Sequence, residues 1–129
     1  MKIKTADLSG VALDWAVAMC EELTEELTYE TKDYLRGDSQ MLYFKNKKER
    51  ICEIYFPSTC WSQGGIIIER ENISINTRDT DEDRIASMYD AFAQDWGMYT
   101  QGSTFLEAAM RCYVASKLGN EVKVPEELL

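Results

Sequence analysis

Histidine is absent from the 129 residues. That removes the side chain that titrates nearest neutral pH and the commonest zinc ligand. A serine or cysteine nucleophile activated by histidine within one chain is therefore excluded. A zinc site would need all its ligands from scattered cysteines and carboxylates. Proline is scarce, with two residues, and the seven glycines form no linker. Internal repeats and low-complexity tracts are lacking. No apolar run approaches the ~18 residues that a membrane span requires. The start, Met1-Lys2-Ile3-Lys4-Thr5-Ala6-Asp7, lacks the apolar core of an export signal. The expectation is one domain over 1–129, cytoplasmic and without membrane contact.

Basic side chains are outnumbered, 14 against 23 acidic, for a net charge of −9. Such a surface repels phosphate backbones, so direct nucleic-acid binding is disfavoured. Solubility is the plain consequence; mimicry of nucleic acid would call for a denser carboxylate array. The four cysteines, Cys20, Cys52, Cys60 and Cys112, include no Cys-x-x-Cys pair. Their spacing reads as reduced thiols, three in apolar contexts and Cys60 in a polar loop. Asp79, Asp81 and Asp83 alternate like the start of a calcium loop, but the glycine and distant glutamate of that loop are missing. Carboxylates abound without an acid/base spacing. No cofactor and no metal is expected.

Apolar residues make up 45%, ordinary for a globular chain of this length, which buries roughly two thirds of its unfolded surface. Residues 2–6 read as a short strand, and Ser9 as the cap of a helix over 11–23. Val11, Ala12, Trp15, Ala16, Met19 and Leu23 recur there at helical spacing, while Leu13, Val17 and Cys20 widen the apolar surface. A helix so nearly apolar all round is buried on more than one side. Arg36-Gly37-Asp38 reads as a turn. Residues 41–44 and 51–56 suggest a hairpin around Asn46-Lys47-Lys48-Glu49, its apolar face carried by Cys52, Ile54 and Phe56. The β-branched run Ile66-Ile67-Ile68 reads as a strand, turning at Arg70-Glu71-Asn72 into a partner with Ile73, Ile75 and Thr77. Adjacent on a strand, Glu69 and Arg70 would face opposite sides. Thr80 then opens a helix over 81–96, with Asp81, Glu82 and Asp83 at its positive end. Its stripe is Ile85, Met88, Tyr89, Phe92 and Trp96, and Gly97 ends it. Thr104 and Glu107 form a capping box for a helix over 104–118, followed by a last strand near 121–124.

The stretch Tyr55-Phe56-Pro57-Ser58-Thr59-Cys60-Trp61-Ser62-Gln63-Gly64-Gly65 carries the chemistry. Ser58, Thr59 and Ser62 supply hydroxyls. Gln63 supplies an amide able to read a base edge, and Trp61 a flat surface for stacking. Gly64-Gly65 permits backbone conformations that turn consecutive amides toward an anion. Arg70 could neutralise a phosphate, and Arg111 either reaches this loop or is held by Glu107. The ligand-binding set is thus Ser58, Thr59, Trp61, Gln63, Gly64, Gly65, Arg70 and Arg111. The plain alternative is a long strand-to-strand connection pinned in the core by Trp61.

Three segments together resemble the NinX family of phage proteins. They are Leu8-Ser9-Gly10-Val11-Ala12-Leu13-Asp14-Trp15-Ala16-Val17-Ala18, then 57–70 with its Pro-Ser-Thr-Cys-Trp-Ser-Gln-Gly-Gly core, and 108–128 from Ala108-Ala109-Met110-Arg111-Cys112-Tyr113 to Pro125-Glu126-Glu127-Leu128. Cys60 stands where the family pattern implies Asp or Asn, and Ile66 where it implies proline. Residues 21–48 match nothing in the pattern. The resemblance implies an accessory protein of tailed bacteriophages made in the infected bacterial cytoplasm, and assigns it no activity.

The expected fold is α+β: an antiparallel sheet of about four or five strands with helices near 9–24, 81–96 and 104–118. The first helix is expected to meet the third or a second subunit. Three functional readings stand: non-enzymatic binding of a host component or a small nucleotide-like ligand through 58–65; an acidic module that docks on and modulates a host enzyme; and an enzyme acting through carboxylates or Cys60.

Overall fold

The computed structural model describes residues 2–34, 37–45, 54–77, 84–90 and 95–129. The fold is α+β. Among the described residues three helices stand with eight strands in three small antiparallel sheets rather than in one. Strand β1 (Lys2–Lys4) pairs with β8 (Glu121–Lys123), joining the two chain ends. Strands β2 (Leu27–Tyr34), β3 (Gly37–Phe44) and β4 (Ile54–Tyr55) form the second sheet. Strands β5 (Ser74–Thr77), β6 (Arg84–Asp90) and β7 (Asp95–Gly102) form the third, a meander. The helices are α1 (Gly10–Cys20), α2 (Trp61–Arg70) and α3 (Phe105–Leu118).

Helix α1 behaves as its composition demands. Ala12, Leu13, Ala16, Val17 and Ala18 are all buried, between α3 and strand β3. Ser9 takes the N-cap position, although its side chain makes no cap bond, and the helix ends at Cys20, three residues short of the expected span over 11–23. Helix α3 is capped as its sequence predicts: Thr104 Oγ1 accepts the Glu107 amide at 3.0 Å. The reciprocal bond is displaced by one residue, since Glu107 Oε1 accepts from the Ser103 amide, not from Thr104. Gly119, with φ +87°, closes the helix in a conformation that disfavours a side chain. Thr5 then ties that end to the first strand, donating its hydroxyl to Gly119 O at 2.7 Å.

Two regions overturn the sequence reading. Ile66-Ile67-Ile68 lies in helix α2 rather than in a strand, and 70–72 is the helix's end rather than a hairpin turn. Ile67 is buried, Ile66 is exposed, and Asn72 takes the left-handed conformation (φ +54°) that stops the helix. Burial against α3, not the strand preference of isoleucine, decides the matter. Residues 84–90 and 95–102 are strands, so the helix expected over 81–96 does not form. Pairing of β6 with both β5 and β7, with α3 packed above them, outweighs the helical spacing of Ile85, Met88 and Tyr89. Thr80, Asp81, Glu82, Asp83 and Phe92, on which that expectation also leaned, lie outside the described residues. So do Arg36 of the expected turn and the connection 46–53, including Cys52.

The pairing of 41–44 with the strand at Tyr55 is as expected, with Leu42 opposite Tyr55 and Tyr43 opposite Ile54. Its buried face is the other one, however: Tyr55 is buried, whereas Ile54 and Phe56 are partly exposed. Tyr55 meets Phe44 edge to face at 5.7 Å.

Gly64 sets the spacing of α2. A Cβ there would collide with Pro57 O and with Leu106 Cδ2. Gly64→Ala is therefore expected to cost about 2 kcal/mol by overpacking. Urea unfolding would read this as a lower midpoint with an unchanged slope; an unaltered midpoint would show that the packing yields.

Candidate functional site

The turn at 57–59 stands between α1 and the start of α2. Pro57 is fully buried, and Thr59 N–H closes the turn onto Phe56 O at 3.0 Å. Ser58 N–H donates to Asp14 Oδ1 at 2.8 Å, tying the turn to the second turn of α1. Ser58 is buried as well, and its Oγ is the one buried side-chain N or O among the described residues with no hydrogen-bond partner. Burial pushes the Asp14 carboxyl up from 3.8 to about 6, opposed by the Ser58 amide. The Ser58 hydroxyl tempers the shift further while falling short of hydrogen-bond geometry.

Two concavities share this turn. On one side a groove of about 370 Å³ is lined by Ser58, Thr59 and Trp61, then by Ser103, Thr104, Phe105 and Leu106. Its walls are thus the starts of both α2 and α3, where the helix dipole leaves positive character; at the α3 start Thr104 Oγ1 and Glu107 Oε1 already accept the Glu107 and Ser103 amides. Hydroxyls and two aromatic rings complete the lining. Trp61 is 53% exposed, so its indole is open to solvent and not pinned in the core. On the other side a smaller cavity of about 230 Å³ lies among Asp14, Val11, Leu42, Tyr55 and Ser58.

The eight residues of the sequence-derived set divide sharply. Ser58, Thr59 and Trp61 line the groove together. Gln63 is committed to its own chain: Oε1 accepts the Phe56 amide at 2.8 Å, and Nε2 donates to Ile54 O at 2.7 Å. Gly64 and Gly65 are helical, the first buried against α3 and the second beside the Trp61 ring. Arg70 lies nine residues along α2 from Trp61, about 14 Å at the helical rise. There it forks onto Glu21 with two bonds of 2.9 Å, pairs with Glu71, and lies 5.7 Å from the Tyr113 ring centre. Tyr113 OH donates to the same Glu21 carboxylate at 2.7 Å. Burial acts to raise the Glu21 pKa, but these donors outweigh it and hold the carboxyl below its ordinary range. Arg111 joins α3 to its surroundings, donating to Leu8 O and Gln101 O at 2.8 Å each, and pairs with Glu107 at 3.2 Å. Both arginines thus clamp elements together, and neither lines the groove.

Sequence reasoning missed Asp14, Ser103, Phe105 and Leu106, and took Thr104 only for a helix cap. Asp14 was visible as the lone acid within an apolar helix, a position that demands a partner. The others gave no signal, because only the fold brings α3's start beside the turn.

Cys60 occupies the N-cap of α2, where Asp and Asn are favoured residues, and its side chain makes no cap bond. Its Sγ lies 3.0 Å from Ser62 Oγ. That hydroxyl, followed by the amides of Gln63 and Ser62, holds the thiol below its ordinary pKa. Cys20 and Cys112 move the other way, pushed up by burial to about 12 and about 11. Among the described residues no three of Cys, Asp and Glu are grouped to hold a metal ion, and no helix is long and apolar enough to cross a membrane.

The molecule is thus an α+β protein with a hydroxyl-lined groove between two helix starts. The family model described as Bacteriophage P22, NinX matches residues 4–117, and the chain belongs to that family. The match runs through 21–48, where the sequence alone showed no resemblance. No curated protein matches the chain.

Two outcomes follow from these environments. Below about pH 4 both folded and unfolded chains hold the Asp14 proton; between about pH 4 and pH 6 only the folded chain does. Stability contributed by this group therefore falls as pH rises through that window, by about 3 kcal/mol. Asp14→Asn keeps an acceptor for Ser58 and should remove that fall, measured as the difference between the two proteins' unfolding free energies. A difference independent of pH would place Asp14 in a wetter setting. Iodoacetamide labelling followed by peptide mass mapping should modify Cys60 well before Cys20 or Cys112; comparable rates would contradict the lowered pKa of the Cys60 thiol.

Proposed function

We propose that this phage protein is a non-enzymatic accessory factor of the infected bacterial cytoplasm that binds a small, planar, anionic ligand of nucleotide type. The groove at the starts of α2 and α3 would be its seat. The observation carrying this reading is the composition of that groove. Two helix N-termini, the hydroxyls of Thr59, Ser103 and Thr104, and the open Trp61 ring line one space of about 370 Å³. That volume lies within the range of small-molecule sites. Helix starts favour an anion, hydroxyls supply donors, and the indole offers a stacking face worth about 1–3 kcal/mol per base. Asp14 faces the smaller cavity and not this groove, so it does not oppose an anion there.

The exposed residues of α2 favour a second reading, docking on a host protein. Trp61 and Ile66 are 53% and 62% exposed on one helix of a chain with net charge −9. Exposed apolar side chains on a chain of net negative charge suit a basic partner surface.

Thermal-shift screening against nucleotides and cyclic dinucleotides separates the two. The ligand reading expects at least one compound to raise the midpoint, and Trp61→Leu to weaken its binding about tenfold. No shift from any compound, with the fold intact, removes that reading. The docking reading expects capture of a host protein that falls steeply with salt and is lost in Ile66→Asp, a change that leaves the groove residues in place.

A further inference from the structure

We infer that the smaller cavity behind the 57–59 turn is a guanidinium site, with the Asp14 carboxylate and the Ser58 hydroxyl as its acceptors and Val11, Leu42 and Tyr55 around the carbon stem.

The cavity holds about 230 Å³, below the roughly 300–1,000 Å³ typical of whole small-molecule sites, so it suits a group the size of one side chain. Its wall is largely apolar, and two buried polar side chains break it. Asp14 Oδ1 already accepts the Ser58 amide, and no described residue donates to Oδ2. Ser58 Oγ, on the same wall, lies close enough to lower the Asp14 pKa but is in hydrogen-bond geometry with no group of the described residues. A carboxylate 5% exposed, with no cation of the described residues among the influences acting on it, is an expensive arrangement that a bound cation would relieve. Two acceptors side by side match the fork of a guanidinium better than the point charge of an ammonium. The apolar walls favour it further, because guanidinium is the more weakly hydrated of the two. Such a group could belong to a free alkylguanidine or to an arginine of a partner protein.

The experiment titrates ¹⁵N-labelled protein with methylguanidinium and with methylurea, its neutral isostere, at millimolar concentration. Methylguanidinium should shift the Leu42, Tyr55, Ser58 and Thr59 amides saturably, and methylurea should bind about tenfold more weakly or not at all. Ser58→Ala retains the amide bond to Asp14 and should weaken binding about threefold to tenfold; Asp14→Asn should abolish it. Tighter binding of a short arginine-centred peptide than of capped arginine assigns the group to a protein partner, and equal binding assigns it to a free compound. Absence of saturation, an equal response to methylurea, an unchanged affinity in Ser58→Ala, or shifts confined to 103–106 would each overturn the assignment. None of these outcomes depends on the nucleotide reading of the groove.

Discussion

One hydrogen bond, from the Ser58 amide to the Asp14 carboxylate, fixes the part of this molecule where chemistry can occur. It joins the middle of α1 to the turn that launches α2, and both concavities take a wall from that turn. A carboxylate is an unusual choice for such a tie. A buried neutral acceptor would hold the amide without the penalty that burial imposes on a charge. The acid is retained at a cost to stability above about pH 6, the value to which burial pushes it. A residue that weakens the fold near neutrality while leaving one oxygen unclaimed is better understood by what it faces than by what it holds.

Gln63 shows the opposite economy, with both ends of its amide in use. Gln63 presents its side chain to β4 much as a neighbouring strand would, accepting from Phe56 and donating to Ile54. The short strand's free edge is thereby closed by a helix side chain. Gly64 permits the approach that makes this reach feasible, since any Cβ would strike Pro57 and Leu106. The amide and glycines that looked like recognition elements in the sequence thus build the wall, and the hydroxyls and indole beside them are left open.

The limits of the sequence follow the same division. Elements governed by local chemistry were legible: α1 from its unbroken apolar character, α3 from its Thr104–Glu107 cap and Gly119 stop, and the β3–β4 pairing from two apolar runs. Elements governed by distant contacts were not. Three successive isoleucines favour a strand, yet α2 needs only Gly64 and Ile67 inward, three residues apart, to pack on α3. That spacing, with Asn72 as a left-handed stop, was the available signal and was hidden by the β-branched run. Residues 84–102 erred the other way, because Ile85, Met88 and Tyr89 fit a helical stripe until sheet partners from 74–77 claim the backbone. The site was half legible for the same reason. Ser58, Thr59 and Trp61 are neighbours in sequence, but Ser103 and Thr104 reach them only through the packing of α3, and read locally as nothing more than a cap.

The two faces of the turn differ in sign, and this restricts what the protein can bind. Toward the groove, helix starts and hydroxyl donors offer partial positive charge, with no carboxylate in the lining. Toward the smaller cavity, the Asp14 carboxylate and the Ser58 hydroxyl offer acceptors. A net charge of −9 would repel an anion at long range, so affinity in the groove has to come from short-range donors and stacking. The same net charge draws cations toward the whole surface, which assists the cavity and hinders the groove. Occupancy of the two should therefore be coupled through the shared Ser58–Thr59 backbone. A guanidinium drawn onto Asp14 neutralises an acid bonded to the groove residue Ser58 and stiffens the turn that forms its wall. By linkage, an anion in the groove would strengthen the hold on the cation by the same factor.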